Sequence, residues 1–236
     1  LKKEDDEEIS ITALYALRNT GDRESMQTII KLYDNAESEK LRKKIIYTLG
    51  SFDEDGALNK LKDIAQNEDV TELRKSAVYA ISNNDNQKAV SAIKEILKTS
   101  KSTEVRKAAL YSLQNTEDQE LIPFLKNLAI EEQDVQLAKA AVYSLGNFET
   151  ANATAAIKEI LKTSANIDVR KAALYSLRNS GDEELIPFLK ATALNESSIE
   201  LAKAAVYSLG NFESQSADEA IKEILKKAES EDVQKA

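Results

Sequence analysis

Apolar residues return along this chain with the spacing of one face of a helix, and the whole arrangement returns every 32 residues. The clearest marker of the period is a set of tyrosines: Tyr15, Tyr47, Tyr79, Tyr111, Tyr143, Tyr175 and Tyr207. Of the eight tyrosines only Tyr33 is out of phase. Six residues before each phased tyrosine stand Ile9, Leu41, Leu73, Val105, Leu137, Val169 and Leu201. Two before stands Ala in every repeat but the second, which has Ile45; one before stands Leu, Ile or Val; two after stands Leu or Ile81. At about 100° per residue these four positions merge into one apolar stripe. The residue just after the tyrosine is always small, from Ala16 to Ser208, which lets neighbouring helices come close.

A turn and a second apolar helix follow each tyrosine helix. The turns read RNTGD (Arg18 to Asp22), RNSGD (Arg178 to Asp182) or LGNFE (Leu145 to Glu149). The second helices read ELIPFLK (Glu120 to Lys126) or AIKEILK (Ala156 to Lys162), with Pro123 and Pro187 near their starts, where a missing N–H costs little. Glu8, Glu72, Glu104, Asp168, Glu200 and Asp232 open the tyrosine helices and complement the helix dipole. Lys40 and Gln136 break that rule, so their helices are expected to start less well. The pattern predicts an all-α chain of about seven 32-residue helix-turn-helix repeats, one domain over 1–236, each repeat burying its apolar face against its neighbours. Residues 105–161 also match 169–225 at 40 of 57 positions, so pairs of repeats look duplicated, with two repeat types alternating. The chain starts at Leu1, and Val233 to Ala236 open an eighth tyrosine helix, so a piece of a longer protein is expected.

Composition narrows the chemistry. Cys and His are absent, which removes disulfides, Cys/His metal sites and Ser-His or Cys-His catalysis. A formal charge of −9 argues against nucleic acid as a partner. No apolar run is long enough to span a membrane. No catalytic, cofactor-binding or metal-binding residue emerges, and nothing in the chain indicates a compartment.

The motif V-R-x-x-A-A-x-A-L-G is carried by Val105-Arg106, Ala109 and Leu113, and again by Val169-Arg170, Ala173 and Leu177. Leu145-Gly146 and Leu209-Gly210 supply its Leu-Gly step. Over essentially the whole chain this resembles the HEAT-like repeats of phycobilin lyases. The resemblance implies a right-handed α–α superhelix whose tyrosine helices line a concave, partner-binding face. HEAT-like enzymes exist, but the deoxyhypusine hydroxylases need His-Glu metal ligands. HEAT-like DNA glycosylases use a basic groove with Trp, which this chain lacks. No residue here points to a chromophore. The expectation is a chain that is not an enzyme.

The four apolar positions centre opposite the tyrosine, so each ring is expected to face away from the core. Four residues earlier come Lys43, Lys75, Lys107, Lys139, Lys171 and Lys203, with Ile11 in the first repeat. Four later come Asn19, Asn83, Asn115, Asn147, Asn179 and Asn211, with Ser51 in the second. Residues four apart share a helix face, so K-x-x-x-Y-x-x-x-N stacks into three columns. The candidate partner-binding set is Tyr47, Tyr79, Tyr111, Tyr143, Tyr175 and Tyr207 with Lys75, Lys107, Lys139, Lys171 and Lys203 and with Asn115, Asn147 and Asn179. The columns resemble the aromatic-x-x-x-Asn ladder of armadillo-repeat peptide receptors. That points to a protein or peptide partner, an acidic one because of the lysines.

Plainer roles compete at every position. The tyrosines can stack on each other and stiffen a wall. The asparagines can end helices because Asn tolerates positive φ, and the lysines can be solvated. Arg42, Arg74, Arg106 and Arg170 are expected to bond turn aspartates between repeats, and Phe52, Phe148 and Phe212 to plug the core. At the level of the whole chain, a structural spacer or self-association module and a polyanion- or glycan-binding protein are the alternatives.

Overall fold

A computed structural model of the chain describes residues 2–84, 86–113, 118–179 and 181–227. The chain divides into two compact units, Leu1–Thr116 and Glu117–Ala236. The first holds α1 (Lys2–Thr20), α2 (Arg23–Asn35), α3 (Glu39–Leu49), α4 (Asp55–Asn67), α5 (Thr71–Ser82), α6 (Gln87–Thr99) and α7 (Thr103–Leu113). The second holds α8 (Leu121–Glu131), α9 (Val135–Gly146), α10 (Ala151–Thr163), α11 (Ile167–Asn179), α12 (Ile186–Asn195), α13 (Ile199–Leu209) and α14 (Gln215–Lys227). A 3-10 turn, Glu183–Leu185, leads into α12. Every described residue in regular structure is helical, as the apolar period predicts.

Each unit has two layers. In the first unit the tyrosine helices pack in series, α1 on α3, α3 on α5 and α5 on α7, with α2, α4 and α6 behind them. In the second unit α9 packs on α11 and α11 on α13. Behind them α8 packs on α10 and α12 on α14, the pairing expected of a duplicated two-repeat block. The core lies between the layers and is built from the predicted stripe. Val105, Ala109, Leu110 and Leu113 are buried, and so are Val169, Ala173, Leu174 and Leu177. α1 departs from this. Ile9 is 66 % exposed, because no described helix packs on that flank.

The small residue after each tyrosine sets the spacing of the tyrosine helices. A Cβ added to Gly50 would stand 2.7 Å from the carbonyl oxygen of Ala80, and one added to Gly146 would stand 3.3 Å from the Ser176 Cβ. At Gly50 the next tyrosine helix leaves no room for a Cβ, and at Gly146 a Cβ would press on the Ser176 side chain. Gly21 and Gly181 have a different task. They turn the RNTGD and RNSGD loops at φ 67° and 64°, a region open to glycine.

Three local expectations are corrected. The helices of Lys40 and Gln136 start well, because side chains upstream cap them. Ser38 accepts from the Leu41 N–H, and Asp134 accepts from the Gln136 and Leu137 N–H groups. None of Arg42, Arg74 and Arg170 bonds a turn aspartate among the described residues, and Arg106 shares their backbone contact. Their Nε groups donate to the carbonyls of Ala36, Ala65, Leu97 and Leu161, at the end of the preceding second helix. Those carbonyls lack intrahelical partners, and a cation there also meets the negative end of the dipole. The guanidiniums also reach forward one repeat, as Arg42 does to Glu68, Arg74 to the Ser100 hydroxyl and Arg170 to Glu196. Phe52 and Phe212 are buried as expected, whereas Phe148 is only half-buried.

Candidate functional site

The tyrosine column emerges from the middle of its helices. The Leu, Ile or Val one residue earlier is buried in every repeat, and a rotation of about 100° carries the next side chain to the surface. Six of the seven rings are between 39 and 52 % exposed, and Tyr175 is half-buried. The cover over Tyr175 is Arg178, whose guanidinium lies 5.5 Å from the ring centre. Among the described residues no hydrogen bond holds the hydroxyl of Tyr47, Tyr79, Tyr111, Tyr143 or Tyr207.

The out-of-phase Tyr33 shows what a structural tyrosine looks like in this chain. It is 4 % exposed and donates to Glu68, which Arg42 also holds. Arg42 and Lys60 lie 5.5 and 5.2 Å from its ring centre. Burial first, and then the Glu68 carboxylate, push its hydroxyl well above the usual tyrosine range.

The lysine column divides. Lys75 bonds Glu72 at 2.9 Å, three residues back on the same helix, and that bond raises its pKa. Lys107 stands 3.9 Å from Glu104 in the same relation. Lys171 reaches across to Glu200 on the next tyrosine helix; the bond raises the lysine and lowers the carboxylate. Lys43, Lys139 and Lys203 have no ion-pair partner among the described residues. The acidic residues that open the helices therefore do more than complement the dipole, since they neutralise part of the column. The i, i+3 spacing of Glu72 to Lys75 was a signal for this, whereas the contact from Lys171 to Glu200 crosses a repeat and has no local signature.

In the asparagine column Asn19, Asn83, Asn147 and Asn211 are exposed. Asn115 and the side chain of Asn179 lie outside the described residues. Asn83 and Asn147 do end their helices, but with right-handed φ of −71° and −78°. Tolerance of positive φ is therefore not why asparagine stands there. Among the described residues the one non-glycine at positive φ is Glu149.

The second helices present a different surface. Lys62 bonds Glu95 at 2.5 Å, Lys126 bonds Glu159 at 2.9 Å and Lys190 bonds Glu223 at 2.8 Å, each across one repeat. Lys158 and Lys162 lie 5.2 and 5.9 Å from the ring centre of Phe188 and join α10 to α12. No helix among the described residues is long and apolar enough to cross a membrane.

The comparisons with known proteins bear on the repeat. A family model for HEAT repeats matches residues 1–82, 71–146, 90–178, 122–210 and 154–236. The chain belongs to the HEAT-repeat family. No curated protein matches it. Among solved structures it is similar to human deoxyhypusine hydroxylase, at 17 % identity and a TM-score of 0.42 over 95 % of this chain and 85 % of that one. The YibA protein of Escherichia coli is similar at 17 % identity and a TM-score of 0.47, over 95 % and 84 %. So is the CpcE–CpcF complex of phycocyanin lyase from a Nostoc species, at 25 % identity and a TM-score of 0.42, over 83 % and 80 %. These neighbours correct the expectation that the chain is not an enzyme. A hydroxylase and a lyase are among them, so HEAT repeats are no ground for denying catalysis.

Proposed function

We propose that this HEAT-repeat chain is a scaffold that binds a protein or peptide through its tyrosine helices, with an acidic partner favoured by the lysines beside the rings. The carrying observation is the exposed tyrosine column, whose hydroxyls hold no partner among the described residues. A tyrosine recruited for packing sits as Tyr33 does, buried and bonded. Tyrosine suits recognition because it offers a large rigid contact area at low rotamer entropy. In this reading the rings pack against the partner's side chains and the exposed asparagines bond its backbone. Each unit carries its own contact column, Tyr47, Tyr79 and Tyr111 with Lys75 and Lys107 in the first and Tyr143, Tyr175 and Tyr207 with Lys139, Lys171 and Lys203 in the second. Asn115, Asn147 and Asn179 complete the proposed set.

The test is a peptide-array screen of the 236-residue chain beside a Tyr143→Ala, Tyr175→Ala, Tyr207→Ala triple variant. The expected outcome is loss of the bound peptide set with unchanged far-UV circular dichroism. Retention of the same peptides would sink the reading. A large loss of thermal stability would assign the rings to packing instead.

A further inference from the structure

The ladder in the second unit is not uniform, and two independent features alternate in step. The first is charge. Gln136 stands three residues before Lys139, so α9 brings no carboxylate to that lysine. On α11, Lys171 is held by Glu200. That contact takes the one carboxylate standing three residues before Lys203, the place from which Glu72 reaches Lys75. Lys203 on α13 is left with no ion-pair partner among the described residues, as is Lys139. The second feature is access to the rings. Three residues after the tyrosine stand Gly146 at the end of α9 and Gly210 capping α13, but Arg178 on α11. Arg178 covers Tyr175, while Tyr143 and Tyr207 are 43 and 52 % exposed. The helices α9, α11 and α13 thus read open, closed, open.

We infer that the second unit binds an acidic extended peptide at alternate helices, with Lys139–Tyr143 and Lys203–Tyr207 as two equivalent carboxylate-binding positions and α11 as a neutral step between them. This rests on the ladder reading and gives it a register. Packed helices lie about 8–10 Å apart, so two steps cover about 16–20 Å. An extended chain advances about 3.3 Å per residue, so the two carboxylates belong about five or six residues apart. A carboxylate brought to α11 would have to displace Glu200 from Lys171 and face its negative charge. At α9 and α13 it meets an uncompensated ammonium beside an open ring.

The probes are fluorescein-labelled peptides with two glutamates in a Ser/Asn background, spaced i, i+3 or i, i+6. Their binding to the 236-residue chain is read by anisotropy at low salt, where exposed charges are least screened. The i, i+6 peptide is expected to bind about fivefold tighter than the i, i+3 peptide. Lys139→Gln and Lys203→Gln should each remove that preference. Glu200→Gln combined with Asp168→Asn frees Lys171, and should tighten the i, i+3 peptide several-fold while leaving the i, i+6 peptide unchanged. If Tyr143→Ala with Tyr207→Ala abolishes binding but the spacing preference is absent, the register is wrong and the ladder survives. If no peptide binds, or the tyrosine variant binds as the parent does, the register and the ladder reading fall together. Circular dichroism of each variant separates loss of binding from loss of fold.

Discussion

The two layers of each unit come from the same 32-residue repeat, yet they use their polar groups in opposite ways. On the second helices several charges are paired from one repeat to the next. Lys62, Lys126 and Lys190 each take a glutamate one repeat further on, and Lys158 and Lys162 cover Phe188. On the tyrosine helices the rings are open, the exposed asparagines are not engaged, and only some lysines are paired. A face whose groups satisfy one another holds the stack together. A face that repeats large amphipathic side chains without satisfying them leaves them open, and the proposed binding role rests on that.

The comparison breaks most visibly at adjacent residues. Leu110 is fully buried and Tyr111 is 51 % exposed. Leu110→Ala should cost about 2–5 kcal/mol through lost burial and a cavity. Tyr111→Ala should cost under about 1 kcal/mol. Urea titrations followed by circular dichroism will show it, and equal costs would mean that the ring is a packing element. Next in size is the contact that spaces the tyrosine layer. Gly50→Ala drives a Cβ into the Ala80 backbone and should cost about 1–3 kcal/mol. Gly146→Ala meets only the side chain of Ser176 and should cost less. A reversed order of melting temperatures would remove close approach as the reason for glycine here.

Much of this was legible in the chain. The apolar stripe, the helix pairs, the out-facing rings and the neutral positions of Pro123 and Pro187 all follow from spacing within one helix. What failed was anything set by the distance between repeats. Sequence alone points Arg42 to turn aspartates, but its acceptors are the Ala36 carbonyl and Glu68, the latter 26 residues away and brought near only by stacking. The pairing of Lys171 with Glu200 crosses 29 residues in the same way. The capping of α3 and α9 was a different error. Ser38 and Asp134 were in plain view, and the dipole was given weight that belongs to the hydrogen-bonding cap. Tyr33 stands out of phase with the other seven tyrosines, and the phase break marks its buried, structural task.

The smallest effects come from the closed face itself. Its ion pairs are partly exposed, so Lys126→Gln should cost at most about 1 kcal/mol, and less in high salt. A site-resolved titration reads the same chemistry more sharply. The hydrogen bond from Lys190, and then that from Lys227, hold the Glu223 carboxyl at about 2, below its ordinary 4.5. A depressed carboxylate stabilises the fold above its ordinary value, and that contribution is lost as the pH falls from about 4.5 towards 2. Carboxyl NMR shifts of Glu223 should therefore titrate near 2 in the parent and move up in Lys190→Gln, which removes the larger cause. The variant should then lose less stability than the parent across that pH window. If Glu223 titrates at its ordinary value in both proteins, the lysine–glutamate contacts behind the tyrosine layer are solvated charges rather than closed pairs. The contrast between the two layers would then rest on the tyrosines alone.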